Sequence, residues 1–325
     1  MSKFAIRLIV FCLPFILIMY FPHFTNVIFD NELDMKFRTF MPDPSAVNIV
    51  IAGDSRAERA LIPKIFEDRT GLETTNIAKG VCDLMTLYKA FEKYDLAQSE
   101  QLFVVSASIW QANDGAVDKG YISINELMEI PVWGQILMLH GEYFASVENR
   151  LKLFWEEITG KRKHYNFKQD DIRLRTQGFL GVDSILNPET ITNVSLNPDS
   201  TQHYFYKRLN INGYRKQVIQ KALKLLSKTK SKFLIYQPPA SPLWHYHTKD
   251  SFIDKAEREY STFLENEIDA YENIQFIDFY EYQNPKLDDS KFYDLQHVNI
   301  TGAEIFTSIV IDSLITRQMI DKGDF

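Results

Sequence analysis

Five short runs of β-branched and aromatic residues, set between longer stretches of helical periodicity, constrain this chain more than any other feature. They are 47–52 (VNIVIA), 73–77 (ETTNI), 101–107 (QLFVVSA), 232–237 (KFLIYQ) and 274–279 (IQFIDF). Near-continuous runs of this kind read as strands buried on both faces, and strands alternating with helices read as a parallel sheet covered by helices. Helices are expected at 60–70, 83–97, 213–229, 251–271 and 301–317; in the third, Val218, Ile219, Ala222, Leu225 and Leu226 mark one buried face. The expected architecture is therefore α/β: a three-layer α/β/α domain over 47–325 with a central parallel sheet. One interval breaks the rhythm. Residues 108–212 separate the third and fourth strands, far more chain than one crossover helix needs. This long insertion holds an expected amphipathic helix at 142–158 and then a polar stretch. It is either a cap over a site or a docking surface.

The amino terminus suggests a second element. Residues 4–22 carry one charge, Arg7, and about 20 apolar residues suffice to cross a hydrocarbon core. Lys3 and Arg7 precede the apolar centre, while Asp30, Glu32 and Asp34 follow it, which places the N-terminus in the cytoplasm and the rest outside. No small-x-small cleavage site follows, and Phe11 does not suit Cys12 as a lipoprotein cysteine, so a retained signal anchor is expected. On this reading 1–22 is a single transmembrane helix in the cytoplasmic (inner) membrane, 23–46 a juxtamembrane connector, and the remainder extracytoplasmic or periplasmic. A net charge of −7 offers no basic face for nucleic acid. Cys12 and Cys82 are poor disulfide partners, and Cys82 reads as a small buried residue.

The first run ends in Gly53-Asp54-Ser55, with a helix-forming segment behind it. Open parallel sheets bind ligands beyond the carboxyl ends of their strands, so Ser55 is expected to face that crevice. A serine hydroxyl becomes a strong nucleophile when a base takes its proton. Residues 292–307 (FYDLQHVNITGAEIFT) supply Asp294 and His297 just ahead of a helix that Thr301 could cap. On a tight loop the carboxylate can hold the imidazole Nδ1–H while Nε2 points at Ser55, in the chain order Ser, Asp, His.

Gly53-Asp54-Ser55 and Asp294-Leu295-Gln296-His297 together resemble the first and last blocks of the SGNH/GDSL hydrolase superfamily. Asn76-Ile77-Ala78-Lys79-Gly80 is similar to its second block. The resemblance covers 47–110 and 230–317 and leaves the insertion unmatched. It implies an SGNH/flavodoxin-like fold and a Ser55–Asp294–His297 triad, with the N–H groups of Ser55 and Gly80 as the oxyanion hole and no cofactor or metal. The family's third block presents Gly-x-Asn after the third strand. Here the chain reads Val105-Ser106-Ala107-Ser108, with Asn113 beyond, so Ser106, Ser108 or Asn113 is the third donor, or backbone groups act without one. A missing donor costs about 2.7–4 kcal/mol of transition-state stabilisation. Membrane-anchored branches similar to alginate O-acetylation and teichoic acid D-alanylation proteins also depart from the four-block pattern. By that resemblance the chain is an esterase or O-acyltransferase, with acetyl as the acyl group, acting on a cell-envelope glycan or acylated polymer. The alternatives are an accessory module docking through the insertion on an integral membrane acyltransferase, and a soluble secreted esterase lacking the N-terminal run.

Arg56, Trp244 and His245 are candidate substrate contacts, although Arg56 suits a loop-stabilising role equally well and Trp244 a packed loop. Asp54 is expected to be structural, bonding to loop backbone. His245 and His247 have no acidic or cysteine partner nearby, so no metal site is expected. His140, His164 and His203 stand in no motif, and Lys161 to His164 form a short basic patch.

Overall fold

In the computed structural model, which describes residues 31–114, 124–139, 166–187, 209–281 and 284–320 with isolated positions between 148 and 161, the five runs form one sheet. Its strands are β1 (Ile49–Ala52), β2 (Thr74–Asn76), β3 (Leu102–Ser106), β4 (Lys232–Gln237) and β5 (Ile274–Asp278). They lie in the order β2-β1-β3-β4-β5 and every pairing is parallel. This is the flavodoxin-like order, in which chain direction across the sheet reverses between β1 and β3 and leaves a crevice at their carboxyl ends.

Among the described residues, six helices cover the sheet: α1 (Asn31–Phe40), α2 (Pro63–Thr70), α3 (Leu84–Lys93), α4 (Tyr214–Leu226), α5 (Phe252–Ile268) and α6 (Ile300–Thr316). Alternate strand residues point to opposite faces. Val50, Ala52, Phe103, Val105, Phe233 and Ile235 therefore share one core with α1, α3, α4 and α5. Ile49, Ile51, Leu102, Val104, Leu234 and Tyr236 share the other with α2 and α6. Both faces being covered is why the strands read as continuous apolar runs. Side-chain caps set several helix starts: Asp83 accepts from Thr86 N at α3, and Ser251 from Ile253 N and Asp254 N at α5. At α6 the cap is Asn299, whose Oδ1 accepts from Gly302 N, and not the expected Thr301. Helix α2 begins at Pro63 rather than residue 60, because proline is tolerated in the first turn and Ile62 is still extended.

The expected membrane span requires correction. No helix among the described residues is long and apolar enough to cross a membrane. The longest described helices, α5 and α6, have 17 residues each, where a crossing takes about 20 apolar ones, and both spend their apolar faces on the sheet. Residues 4–22 themselves lie outside the described residues. The transmembrane helix and single-pass topology are withdrawn, together with the extracytoplasmic location, the envelope-glycan substrate and the membrane-acyltransferase partner that accompanied them. Within the stretch read as a connector, α1 is part of the folded unit, with Leu33, Met35 and Phe37 buried.

The described parts of the insertion pack onto both layers. Leu127, Ile130 and Ile211 join the first core, while Phe179 and Leu186 join the second. The expected helix at 142–158 falls where only isolated positions are described. Segment 166–187 passes the β2 edge, where Asn76 N donates to the Gln177 carbonyl at 2.8 Å. Gly178 makes this approach possible: its φ is +97°, and a Cβ there would stand 1.8 Å from the Asn76 carbonyl oxygen. Gly160 has a similar φ of +64° but open space around it. Gly178→Ala is therefore expected to cost about 1–3 kcal/mol beyond the backbone strain that Gly160→Ala also incurs. Urea midpoints at unchanged m measure both. Equal costs would show that 166–187 does not lie against β2.

Candidate active site

The crevice forms where β1 and β3 end. Gly53 leaves β1 with φ +107°, and a Cβ there would meet Ser106 Oγ at 2.3 Å, so only glycine lets the β1 exit pass this close to β3. Asp54 then caps the short helix Ser55–Glu58, its Oδ1 accepting from Arg56 N at 3.0 Å. Three further contacts fix this buried carboxylate and its backbone. Ser106 Oγ donates to Oδ1 at 2.8 Å and accepts from Asp54 N at 2.9 Å, and Trp110 Nε1 donates to Oδ2 at 2.8 Å. The cap is rigid, and it sets Ser55 at the start of the turn.

Ser55 Oγ lies 2.9 Å from His297 Nε2, across 242 positions of sequence. On the far side of the ring, Nδ1 stands 2.9 Å from Asp294 Oδ2 and 3.1 Å from Oδ1. Asp294 Oδ1 also accepts from the backbone N–H groups of Gln296 and His297, both at 2.8 Å, which folds 294–297 into the tight loop the spacing suggests. Burial pushes the Asp294 carboxyl up, but the hydrogen bond and charge of His297 and the two backbone donors outweigh it and hold the group below the usual carboxylate range. A hydroxyl bonded to an imidazole, itself bonded to an ionised carboxylate, can lose its proton to the ring.

Of the three candidate third donors, Ser106 spends its proton on Asp54. Asn113 is wholly buried and accepts from Asn210 N at 2.8 Å through Oδ1, so it faces the returning insertion. Ser108 Oγ is buried and has no hydrogen-bond partner among the described residues. Gly80 is half-buried, with no atom within 4 Å of where a Cβ would stand. It precedes Val81, whose φ of +58° is a strained conformation for a β-branched residue, of the sort that clusters at functional sites. Lys79 N donates to the Gly53 carbonyl at 3.1 Å and ties this loop to the exit of β1.

The substrate contacts read from the sequence need correction. Arg56 is 5% exposed, and its guanidinium donates to the carbonyls of Gln296, Pro238 and Pro239 at 3.2, 3.1 and 2.8 Å. Through Nε and Nη2 it straps the loop after β4 to the His297 loop. Trp244 is fully buried in the first core. His245 packs on the Tyr280 ring at 4.5 Å, where burial lowers its pKa. His247 is exposed, and His140, His164 and His203 lie outside the described residues. Among the described residues no group of three or more His, Cys, Asp or Glu could hold a metal ion.

Two neighbours of the pair were missed by sequence reasoning. The Tyr293 ring stacks on His297 at 5.4 Å and 22°, and Arg59 donates to the Tyr293 hydroxyl. The available signal was spacing: Arg59 follows Ser55 by four, and Tyr293 precedes His297 by four.

No protein-family model and no curated protein matches this chain. Among solved structures, a Streptococcus pneumonia protein provisionally described as a platelet activating factor is similar over 87% of this chain and 91% of its own, at 10% identity and a TM-score of 0.40. That likeness is distant.

Proposed function

We propose that this protein is a serine acyl-ester hydrolase or acyltransferase that works through an acyl-enzyme on Ser55. The observation that carries the reading is the unbroken line of contacts from Ser55 Oγ through both nitrogens of His297 to Asp294. In the first half-reaction Ser55 Oγ bonds to the acyl carbonyl carbon and its proton passes to His297 Nε2. The carbonyl oxygen becomes an oxyanion, for which the N–H groups of Ser55 and Gly80 are the proposed donors and the unpartnered Ser108 Oγ the proposed third. Collapse breaks the ester C–O bond, and the leaving alkoxide takes the proton from His297. Water or another hydroxyl then repeats the sequence in reverse and frees Ser55. Asp294 keeps the ring in the tautomer with hydrogen on Nδ1 and steadies the imidazolium that forms. Hydrolysis and transfer share every one of these steps and differ only in which hydroxyl reaches the acyl-enzyme.

Incubation of the full chain with a fluorophosphonate probe between pH 6 and 9 is expected to label one residue, identified by peptide mass as Ser55. Ser55→Ala should abolish labelling and lower p-nitrophenyl acetate hydrolysis by about 10³-fold or more. A wild-type chain that takes up no probe across that range contradicts the proposal.

A further inference from the structure

Beneath the Ser55 turn lies a cluster of buried charges that the acyl chemistry does not use. Lys36 of α1 is completely buried, and its ammonium donates to Glu58 Oε1 at 2.7 Å and to the Ala78 carbonyl. Glu58 ends the helical turn that Ser55 begins, and Ala78 stands two residues before Gly80. From another side Glu58 Oε1 receives Arg173 Nη1 at 3.2 Å. Arg173 itself is held by Asp171 at 2.8 Å and Glu32 at 3.0 Å. The Glu58 carbonyl accepts from Leu180 N at 3.0 Å. The nucleophile's turn and the Gly80 loop thus meet on one lysine, and the cations come from α1 and segment 166–187, both outside the two stretches that carry the motif resemblance.

Burying an ammonium costs several kcal/mol, and a buried ion pair is frequently no more stabilising than apolar residues of the same volume. Burial pushes the Lys36 ammonium down from its ordinary value and Glu58 draws it back, so the slot is an expensive place for a lysine. What the lysine supplies that a methionine would not is direction: donors aimed at two loops at once. We propose that Lys36, with Arg173, is a positioning residue that sets the Ser55 turn against the Gly80 loop and, through that turn, against His297. The inference rests on the acyl-enzyme reading for its catalytic consequence but not for its geometry.

The test compares the full-length chain with Lys36→Met and with the paired Lys36→Met/Glu58→Leu, in which both buried charges leave together while Arg173 keeps Asp171 and Glu32. The paired variant is expected to melt near wild type, whereas kcat for p-nitrophenyl acetate falls about 10²-fold with KM little changed, the scale of a misplacement of about 1 Å. Wild-type kcat in a folded paired variant overturns the inference, because the cluster would then be packing alone. Should Lys36→Met fail to fold, the paired variant still decides. Should the wild-type chain show no acyl chemistry, a thiol introduced by Ser55→Cys decides instead. Its rate of alkylation by iodoacetamide against pH reports its coupling to His297, with the wild-type chain correcting for Cys12 and Cys82. A pH profile shifted by the paired substitution supports the positioning role, and an unchanged one refutes it.

Discussion

Replacing His297 by alanine is expected to lower ester turnover by about 10⁴-fold while leaving the fold in place. Among the described residues the ring is the group within hydrogen-bond distance of Ser55 Oγ that can accept its proton, at 2.9 Å, and without it the serine keeps the reactivity of an ordinary alcohol. The loop should survive the substitution because its shape does not depend on the ring. Asp294 Oδ1 is bound by the backbone N–H groups of Gln296 and His297, which alanine retains, and Arg56 still straps the Gln296 carbonyl. Asp294→Ala would be a poorer test, since it removes the loop's organiser together with the ring's partner. Groups that act as a unit do not add, so Ser55→Ala/His297→Ala should be no slower than either single variant. A His297→Ala chain that turns over within tenfold of wild type would mean that Ser55 and His297 are neighbours without a shared task.

The sheet was legible because its strands are buried on both faces. Runs such as VNIVIA and KFLIYQ have no solvent-facing alternation to confuse with a helix, and the ends of β1 and β4 fall within two residues of expectation. That Ser55, Asp294 and His297 meet was legible because a parallel sheet brings the end of its first strand and the loop before its last helix to one rim. What stayed hidden was the partnering of charges over long separations. Arg56 suits a ligand contact and a loop strap equally well in sequence, and only the fold shows that its Nε and Nη2 donate to carbonyls 240, 182 and 183 residues away. The first turn of α4 is bonded by Asp114, a hundred residues earlier, at 2.9 Å to Tyr214 N and 3.0 Å to Arg215 N. Nothing local marks either role. Helix α1 was read as part of a connector, yet its Asp34 and Lys36 are buried, each against a partner that only the fold supplies. The apolar run at 4–22 invited a membrane reading that nothing among the described helices supports.

Arg215→Met is expected to be strongly destabilising, because buried acceptors that lose their donor cost about 1–3 kcal/mol each, and its cost should depend on pH in a particular sense. Arg215 is fully buried; Nε and Nη2 grip the Glu126 carboxylate at 2.6 and 2.8 Å, and Nη1 donates to the carbonyls of Trp110 and Asn113 at 2.6 and 3.1 Å. Methionine fills the volume but leaves Glu126 and two carbonyls without their donor. Because Trp110 is also the donor to Asp54 Oδ2, the loss should loosen the cap that holds Ser55. Burial already pushes the Glu126 carboxyl up, to about 8, against the pull of Arg215. A carboxyl whose folded pKa lies above its unfolded value binds more protons folded than unfolded, so its contribution to stability falls as pH rises between the two values, by about 1.4 kcal/mol per unit. In the wild-type chain that fall ends near pH 8, where Glu126 ionises beside the guanidinium. In the variant the guanidinium no longer offsets the buried charge, the folded pKa climbs further, and the fall continues. The difference in unfolding free energy between the two chains should therefore widen above pH 8, a comparison in which the titrating groups that Arg215 does not touch cancel; Asp114 and Tyr260, which also feel the guanidinium, do not. Urea titrations of both chains at pH 6, 7, 8 and 9 supply the curve; a gap that narrows at alkaline pH would mean that Glu126 does not depend on Arg215 for its charge.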